Sequence, residues 1–288
     1  MDGKVWTIGN VTISQIIEVD AGEVIQEIMP DANPASILGI PWLRPHFADE
    51  NGKLKAVVQA FLVTTPTAAI LVDTCVGNEK KRVELSAWNN LHTDFLHRLA
   101  ALGRNRNDID IILCTHLHFD HVGWNTMLEA GKWIPTFPRA RHLFAKEEFE
   151  YWKGKPEKEI ADDHAGFRDS ILPVYEAGLV DLVQVDQSVV EGVSLIPTPG
   201  HTPAHVSVVI ASGGEQAVIT GDVLHHPCQI AHPEWATVGD TDRDRATRTR
   251  KGLIDRLVGS ETLVIGSHFA LPTAGKLVRE GEEVRLLV

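Results

Sequence analysis

The sequence predicts an α/β fold, a four-layer αβ/βα sandwich in which two mixed β-sheets pack face to face and are flanked by helices. Two runs of paired apolar strands, each followed by helical patterns and further strands, lead to this prediction. No internal repeat, low-complexity tract or composition shift marks a linker in the 288 residues. We therefore expect one domain over residues 1–288.

The first run of strands lies near the amino end. A hairpin is predicted at 5–19, around a Gly-Asn turn, and a second strand pair at 57–65 and 68–74. The residues between them, 21–56, contain four prolines and are predicted to be irregular. Long irregular segments inside a compact domain are often functional, so 21–56 is a candidate substrate lid or dimer segment.

The middle of the chain alternates helices with strands. Leu91, Phe95, Leu99 and Leu102 recur at helical spacing and predict a helix that ends near Gly103. The remaining patterns predict strands at 108–114 and 140–145 and helices around 145–153 and 163–177.

The second run of strands fills the carboxyl-terminal part. Its elements are predicted strands at 182–185, 193–198, 205–211, 216–222 and 262–267, a helix near 242–258 and a closing hairpin at 276–288. Each of the two runs can thus supply one sheet.

Charge and cysteine content exclude several classes of protein. Lys plus Arg total 27 and Asp plus Glu total 39, a net charge of −12 that disfavours nucleic acid and anionic membrane as partners. The three cysteines have no CxxC spacing, which argues against a disulfide framework. The amino end lacks a signal-peptide pattern, and no apolar run is long enough to cross a membrane. We expect a cytoplasmic protein.

The stretch CTHLHFDHVGWN concentrates ligands directly after the strand predicted at 108–114. His116, His118, Asp120 and His121 lie within six residues. Neutral imidazole and carboxylate are good ligands for zinc and similar divalent ions, and two pairs can serve two neighbouring metals. The alternative is a histidine-rich surface loop.

Three further predicted strands end in a single potential ligand. His201 follows one strand in PTPGHTPAHVS, Asp222 ends another in VITGD, and His268 follows a third in VIGSHF. A lone polar residue after a strand is weak evidence. Together with the histidine-rich stretch, these residues complete seven ligands for two metals.

These residues resemble the motifs of the metallo-β-lactamase superfamily. The T-H-x-H-x-D-H-x-G signature corresponds to Thr115, His116, His118, Asp120, His121 and Gly123, and the P-G-H-T-x-x-H element to Pro199, Gly200, His201, Thr202 and His205. Gly221-Asp222 and His268 complete the pattern, which spans nearly the whole chain from Asp73 onward. The resemblance also implies the αβ/βα sandwich.

The resemblance implies how the seven ligands divide. One metal would be held by His116, His118 and His201, the other by Asp120, His121 and His268, with Asp222 bridging both. It further implies two zinc ions per chain, although other divalent metals are open, and a hydroxide that bridges the metals and attacks a carbonyl carbon. The expected activity is hydrolysis.

The long segment before the metal motif and the Gly-Asp strand end resemble the lactonase and organophosphate-hydrolase branch. Acyl-homoserine lactonases commonly place a tyrosine three residues after the bridging aspartate, where this chain has His225. Asp120 and His225 are the candidate catalytic residues, because imidazole can hydrogen-bond a carbonyl or protonate a leaving alkoxide. Which of His225 and His226 faces the metals is open, since adjacent residues on a strand end point in opposite directions.

We therefore predict a zinc hydrolase that opens a lactone or cleaves a related carboxylic ester. The first alternative is a phosphotriesterase; a redox diiron protein and a non-catalytic binding module are less favoured. The expected partner is a small-molecule ester or lactone, and a homodimer is left open. Asp73 is a candidate for orienting His116 or its neighbours by hydrogen bonding, and Trp42, Phe47 and Trp124 are candidates for an apolar rim.

Overall fold

The computed structural model describes residues 3–155 and 161–288, which contain two seven-stranded mixed sheets, a two-stranded sheet and helices. The predicted α/β class is confirmed. Residue contacts divide the chain into two compact units, one made of Met1–Val19 and Val58–Gln184, the other of Asp20–Val57 and Val185–Val288. The expectation of one domain over the whole chain stays a prediction.

The strands match most of the predicted ones within a few residues. In chain order they are β1 Val5–Ile8, β2 Val11–Asp20, β3 Val57–Thr64, β4 Ala69–Val72, β5 Ile111–Leu113, β6 Thr126–Glu129, β7 Lys132–Pro135, β8 Arg141–Ala145, β9 Val180–Val183, β10 Ser188–Val190, β11 Val193–Pro197, β12 Val206–Ser212, β13 Glu215–Ile219, β14 Leu263–Ile265, β15 Ala274–Glu280 and β16 Glu283–Leu287.

The helices are mostly short. They are α1 Gly22–Ile28, α2 Pro34–Leu38, α3 Phe95–Ala101, α4 Phe119–Val122, α5 Lys146–Gly154, α6 Ala161–Gly166, α7 Leu172–Glu176, α8 Cys228–Ala231 and α9 Arg243–Leu257, with 3₁₀ turns at Pro41–Leu43, Ser86–Trp88, Gly123–Asn125 and Gly221–Val223 and a π-helix at Phe167–Ile171. Among the described residues, no helix has the length and apolar character that a membrane crossing requires.

The first unit holds the sheet β1-β2-β3-β4-β5-β8-β9, in which β4, β5, β8 and β9 run parallel. All four side chains of β4 are buried, as expected for a parallel strand covered on both faces. Because carboxyl ends of parallel strands meet at one edge, Asp73 after β4 and Thr115 after β5 lie beside each other. This edge carries the histidine-rich stretch.

The second unit holds the sheet β10-β11-β12-β13-β14-β15-β16. β13 and β14 are parallel, and β11 runs in the same direction because each of β11 and β13 is antiparallel to β12. The carboxyl ends of β11, β13 and β14 therefore share one edge. His201, Asp222 and His268 follow these three strands, so the topology gathers them at that edge.

The segment 21–56 is more regular than the sequence predicts. It contains α1, α2 and a 3₁₀ turn, and the Asn33 side chain caps α2 by accepting a hydrogen bond from the Ser36 amide (3.1 Å). Ile37, Leu43 and Phe47 are fully buried, so the segment packs through apolar side chains. A lid or dimer role for it stays a prediction.

Two helical predictions are wrong in detail. The helix expected from Leu91 begins only at Phe95, because the Leu91 carbonyl accepts a hydrogen bond from the Glu79 amide in a neighbouring loop (2.9 Å). The helix expected at 163–177 is interrupted by the π-helix, and Pro173, which has no amide hydrogen, follows that interruption at the start of α7.

The hairpin of β6 and β7 is absent from the sequence prediction. Its turn is formed by Ala130 and Gly131, both at positive φ (49° and 76°). Glycine adopts such a conformation freely, whereas alanine gives no turn signal. Each strand also has a charged residue next to the turn, Glu129 and Lys132, which weakens the apolar pattern from which a strand is predicted.

Candidate metal centre

The first ligand cluster consists of His116, His118, Asp120 and His121. Nε2 of His116 lies 3.0 Å from Nδ1 of His118, and Nε2 of His121 lies 3.6 Å from an oxygen of Asp120. The rings of His116 and His121 are 4.1 Å apart. The structure therefore brings these four predicted ligands together where β5 ends and α4 begins.

Asp73 fixes two of these histidines. Its carboxylate accepts hydrogen bonds from the Thr115 amide (2.8 Å), the Thr115 hydroxyl (3.0 Å) and Nδ1–H of His121 (3.0 Å). Because that hydroxyl donates to Asp73, it accepts from Nδ1–H of His116 (3.1 Å). Asp73 thus orients His121 directly and His116 through Thr115, and leaves a lone pair on Nε2 of both rings.

His118 and α4 have their own supports. The His118 ring packs edge-on against Trp152 at 5.3 Å, and the indole of Trp152 donates a hydrogen bond to Glu148 (2.8 Å). The Phe119 amide, at the start of α4, donates to Asp163 (3.2 Å). Burial raises the pKa of Asp163. These contacts hold His118 from one side and the helix start from the other.

Glu18 anchors the loop that follows Asp73. Its buried carboxyl accepts hydrogen bonds from the Trp124 indole (2.6 Å), the Val76 amide (2.7 Å) and the Thr93 hydroxyl (2.9 Å). Burial raises the pKa of Glu18, while these hydrogen bonds lower it. Trp124 is only 5% exposed and stacks on Phe95 at 5.4 Å, so it is a core residue and not part of an apolar rim.

The second ligand cluster consists of His201, Asp222, His225 and His268. The Asp222 carboxylate lies 3.5 Å from Nε2 of His201, 3.2 Å from Nε2 of His225 and 3.2 Å from Nε2 of His268. All four residues are buried. Three imidazole rings from separate parts of the chain therefore surround one carboxylate.

Three of these residues, His201, Asp222 and His268, are held by hydrogen bonds to a neighbour. Nδ1–H of His201 donates to Asp240 (2.9 Å), and Nδ1–H of His268 donates to the Val57 carbonyl (2.9 Å). The Asp222 amide donates to Nε2 of His205 (2.8 Å). Burial alone would raise the pKa of Asp240, but the hydrogen bond from His201 and nearby positive charges hold it below its usual value.

The two adjacent histidines after Asp222 point apart. His225 contacts Asp222, whereas Nε2–H of His226 donates to the Phe47 carbonyl (2.8 Å) and its Nδ1 accepts from the Cys228 amide (3.1 Å). Burial lowers the pKa of His226 to about 4, so its ring is neutral at physiological pH. His225 is therefore the member of the pair that belongs to the second ligand cluster.

The donor atoms fit a divalent cation. In His121, His201 and His268, Nδ1–H donates to an oxygen, so Nε2 of the neutral ring presents a lone pair. Nε2 of these rings lies 3.6, 3.5 and 3.2 Å from an oxygen of Asp120 or Asp222. A cation between the nitrogen and the oxygen, either a proton or a metal ion, makes such a contact favourable, and imidazole nitrogen with carboxylate oxygen is a set that zinc prefers.

The cysteines do not join either cluster. Cys75, Cys114 and Cys228 are buried free thiols, and burial raises the pKa of each. Cys114 directly follows β5 as the first residue of the histidine-rich stretch, and the side-chain amide nitrogen of Asn125 is 3.8 Å from its sulfur. All three thiols therefore remain protonated and serve packing.

Sequence reasoning missed Asp240 and Glu18. Asp240 lies in the loop before α9, where no motif or periodicity distinguishes it from other acidic loop residues. Glu18 did carry a signal, because its carboxyl lies between the apolar residues Ile17 and Val19 of strand β2. Buried carboxylates need partners, so an acidic residue in such a strand predicts a hydrogen-bonded support.

Comparisons with known proteins agree with this geometry. The family model described as the metallo-beta-lactamase superfamily matches residues 56–268. An N-acyl homoserine lactonase of Bacillus cereus is 32% identical over 214 residues, which cover 69% of this chain and 71% of the relative. An N-acyl homoserine lactonase of a Bacillus species is 34% identical over 167 residues, 53% of this chain, which spans 58% of that relative's length.

Two solved structures are similar over nearly the whole chain. One is AidC, a dizinc quorum-quenching lactonase in complex with a product, and the other is the hydrolase AbOPH in the β-lactamase superfamily. Each has a TM-score of 0.79 and 23% sequence identity, and covers 99% of this chain and 97% of its own. At this identity the likeness shows the shared fold.

Proposed function

Because this chain belongs to the metallo-β-lactamase superfamily, we propose that it is a metal-dependent hydrolase that opens lactones or cleaves related carboxylic esters. The observation that carries the proposal is the pair of ligand clusters, in which imidazole nitrogens of fixed tautomer face carboxylate oxygens. The similarity to two Bacillus N-acyl homoserine lactonases supports a lactone as the substrate class.

The proposal assigns two zinc ions to the two ligand clusters jointly. His116, His118 and His201 would hold one ion, Asp120, His121 and His268 the other, and Asp222 would be shared. When bound, two divalent ions lower the pKa of a water toward neutrality and polarise a carbonyl oxygen. The protein's part is to aim the ligand nitrogens, which Asp73 and Asp240 do by accepting Nδ1–H bonds that fix the tautomer and orientation of each ring.

Asp120 and His225 are the residues that we assign to the substrate and the attacking water. Asp120 accepts a hydrogen bond from the water and aligns it with the carbonyl carbon. His225 lies with Nε2 3.2 Å from Asp222, so its Nε2–H can donate to the substrate oxygen and pass a proton to the leaving alkoxide. The proton that the attacking water loses as its bond to the carbonyl carbon forms returns to His225 through solvent.

Replacement of His225 by alanine is expected to lower kcat by roughly 10²-fold with a small change in KM, because a group that acts on the leaving oxygen matters most in the transition state. Zinc content should stay that of the unmodified protein. His97→Ala, an exposed histidine of α3, is the matched control and should leave both constants unchanged. Equal kinetics for the two variants would remove His225 from the mechanism.

A turnover screen tests the proposed function. The zinc-loaded protein is given acyl lactones with short and long chains, aryl esters and a paraoxon-like phosphotriester. Hydrolysis of a lactone or ester is expected, and it should disappear on metal removal, return with zinc and be absent from Asp120→Ala. Preferential turnover of the phosphotriester would instead identify a phosphotriesterase. Hydrolysis that survives in Asp120→Ala would contradict the site assignment.

A further inference from the structure

The middle of α9 buries an arginine behind the second ligand cluster. Arg250 is fully buried, and its guanidinium donates hydrogen bonds to the carbonyls of Val223 (2.7 Å), Pro233 (2.7 Å) and Trp235 (3.2 Å). The remaining guanidinium nitrogen, Nη2, has no hydrogen-bond partner among the described residues and lies 3.6 Å from an oxygen of Asp240. A buried cation carries a desolvation penalty of several kcal/mol unless it is well paired.

Two of these contacts lead back to Asp222 and His225. Val223 directly follows Asp222, so the bond to its carbonyl fixes the backbone of the shared carboxylate. The Trp235 carbonyl also accepts from the side chain of Gln229 (2.8 Å), whose oxygen accepts from the His225 amide (2.7 Å). Arg250 and Gln229 therefore meet at one carbonyl and together define where the His225 backbone lies.

The fourth contact leads to His201. One Asp240 oxygen accepts from Nδ1–H of His201 at 2.9 Å, and the other accepts from the Thr237 amide at 3.1 Å and faces Arg250. The side chain of Asp240 is fully buried and is thus held from both sides. A rigid acceptor at Nδ1 keeps the His201 ring in one tautomer and one orientation.

A role in packing alone would not need a positive charge, because an apolar side chain could fill the same volume without the desolvation penalty. Such a side chain would leave the carbonyls of Val223, Pro233 and Trp235 without the donors that Arg250 supplies. The nitrogen that faces Asp240 makes no hydrogen bond, so its contribution there is positive charge. That charge lies beside the carboxylate that accepts from His201 and helps to hold this carboxylate in place.

We propose that Arg250 and Asp240 form one positioning unit that sets the metal affinity of the second ligand cluster, by aligning the ligand His201 through the carboxylate and the ligand Asp222 through the backbone. The same unit fixes the backbone of His225, which is not a ligand. Neither Arg250 nor Asp240 is a metal ligand or touches substrate. The inference rests on the proposed function, because it concerns the metal that this function requires.

The test is zinc affinity, measured by competition with a chromophoric chelator. Asp240→Asn keeps the shape and an acceptor oxygen but removes the charge. We therefore expect the zinc dissociation constant to rise roughly tenfold to hundredfold. Arg250→Lys keeps the charge but lacks the fork that spans three carbonyls, so a smaller loss is expected. Asp244→Asn and Arg248→Lys, both exposed on α9, are the matched controls and should bind zinc normally.

Two further measurements separate positioning from folding. The absorption spectrum of the cobalt-substituted protein should shift in Asp240→Asn, because the His201 ligand changes its orientation. The thermal unfolding midpoint of the metal-free Asp240→Asn protein should stay near that of the unmodified protein. A midpoint that falls in parallel with zinc affinity would overturn the inference, since the residue would then act only on folding.

The outcomes also separate this inference from the proposed function. If the unmodified protein binds no zinc, the proposed function fails and the inference fails with it. If the unmodified protein binds zinc and Asp240→Asn binds it equally well with the same cobalt spectrum, only the positioning unit is refuted. A weaker affinity, a shifted spectrum and an unchanged midpoint together support it.

Discussion

Replacement of Asp222 by asparagine is expected to lower kcat/KM for the proposed lactone or ester substrate by roughly 10³-fold or more, which corresponds to about 4 kcal/mol of transition-state stabilisation. Asp222 places its two oxygens 3.2 to 3.5 Å from Nε2 of His201, His225 and His268. An amide has nearly the same shape but no charge, and its NH₂ group would donate to an imidazole nitrogen in place of the cation. The substitution therefore removes the proposed metal-ligating oxygen and the negative charge at the same time.

The Asp222→Asn experiment separates this effect from misfolding. The backbone amide of Asp222 donates to His205, and this hydrogen bond does not depend on the side chain that is replaced. The fold should therefore survive, and the unfolding midpoint of the metal-free protein should change little. Bound zinc, measured by atomic spectroscopy, should fall below that of the unmodified protein. Asp255→Asn, an exposed carboxylate of α9, is the control for a change of charge. Full zinc content with normal kcat/KM would show that Asp222 is not a ligand.

The second large effect concerns Gly123, in the signature motif. An added Cβ would lie 1.9 Å from the Val76 carbonyl oxygen and 2.0 Å from its carbon, far inside van der Waals contact. Neither backbone can move away alone, because the Gly123 amide donates to the Cys75 carbonyl (2.7 Å) and the Val76 amide donates to Glu18 (2.7 Å). We expect Gly123→Ala to lower the free energy of unfolding by about 3 kcal/mol or more.

Chemical denaturation of the metal-free protein measures the Gly123→Ala effect. Gly252→Ala, in α9, is the matched control, because an added Cβ there meets no atom within 4 Å. In an open helix position alanine is favoured over glycine, so this control should gain roughly 0.5–1 kcal/mol. A loss below 1 kcal/mol in Gly123→Ala would mean that the loop after Asp73 yields easily, and that its hydrogen bonds do not hold it.

The ligand clusters could be predicted because their signals are local. Four ligands lie within six residues after a buried strand, and His201, Asp222 and His268 each follow an apolar strand. Strand direction then decides which ligands share an edge, and the parallel pairing of β13 with β14 could be inferred only as part of the fold. The geometry within each cluster therefore follows from pattern and topology together.

The supports of the clusters could not be predicted in the same way. Asp240 and Arg250 act through contacts with residues 39 and 27 positions away in the chain, and nothing in their own neighbourhoods marks them. The late start of α3 has the same cause, because the Leu91 carbonyl is occupied by the Glu79 amide of another loop. Tertiary hydrogen bonds overrode the helical pattern there.

Arg250 holds the chain between Val223 and Trp235 by carbonyl oxygens alone. Every residue type supplies a carbonyl, so this anchor does not depend on which side chains the loop carries. Mutational drift, or a combinatorial library, can exchange side chains of this segment that are not fully buried, such as those of Glu234 and Trp235, while its path stays the same. We expect such changes to leave the backbone at Val223, and with it Asp222, in place.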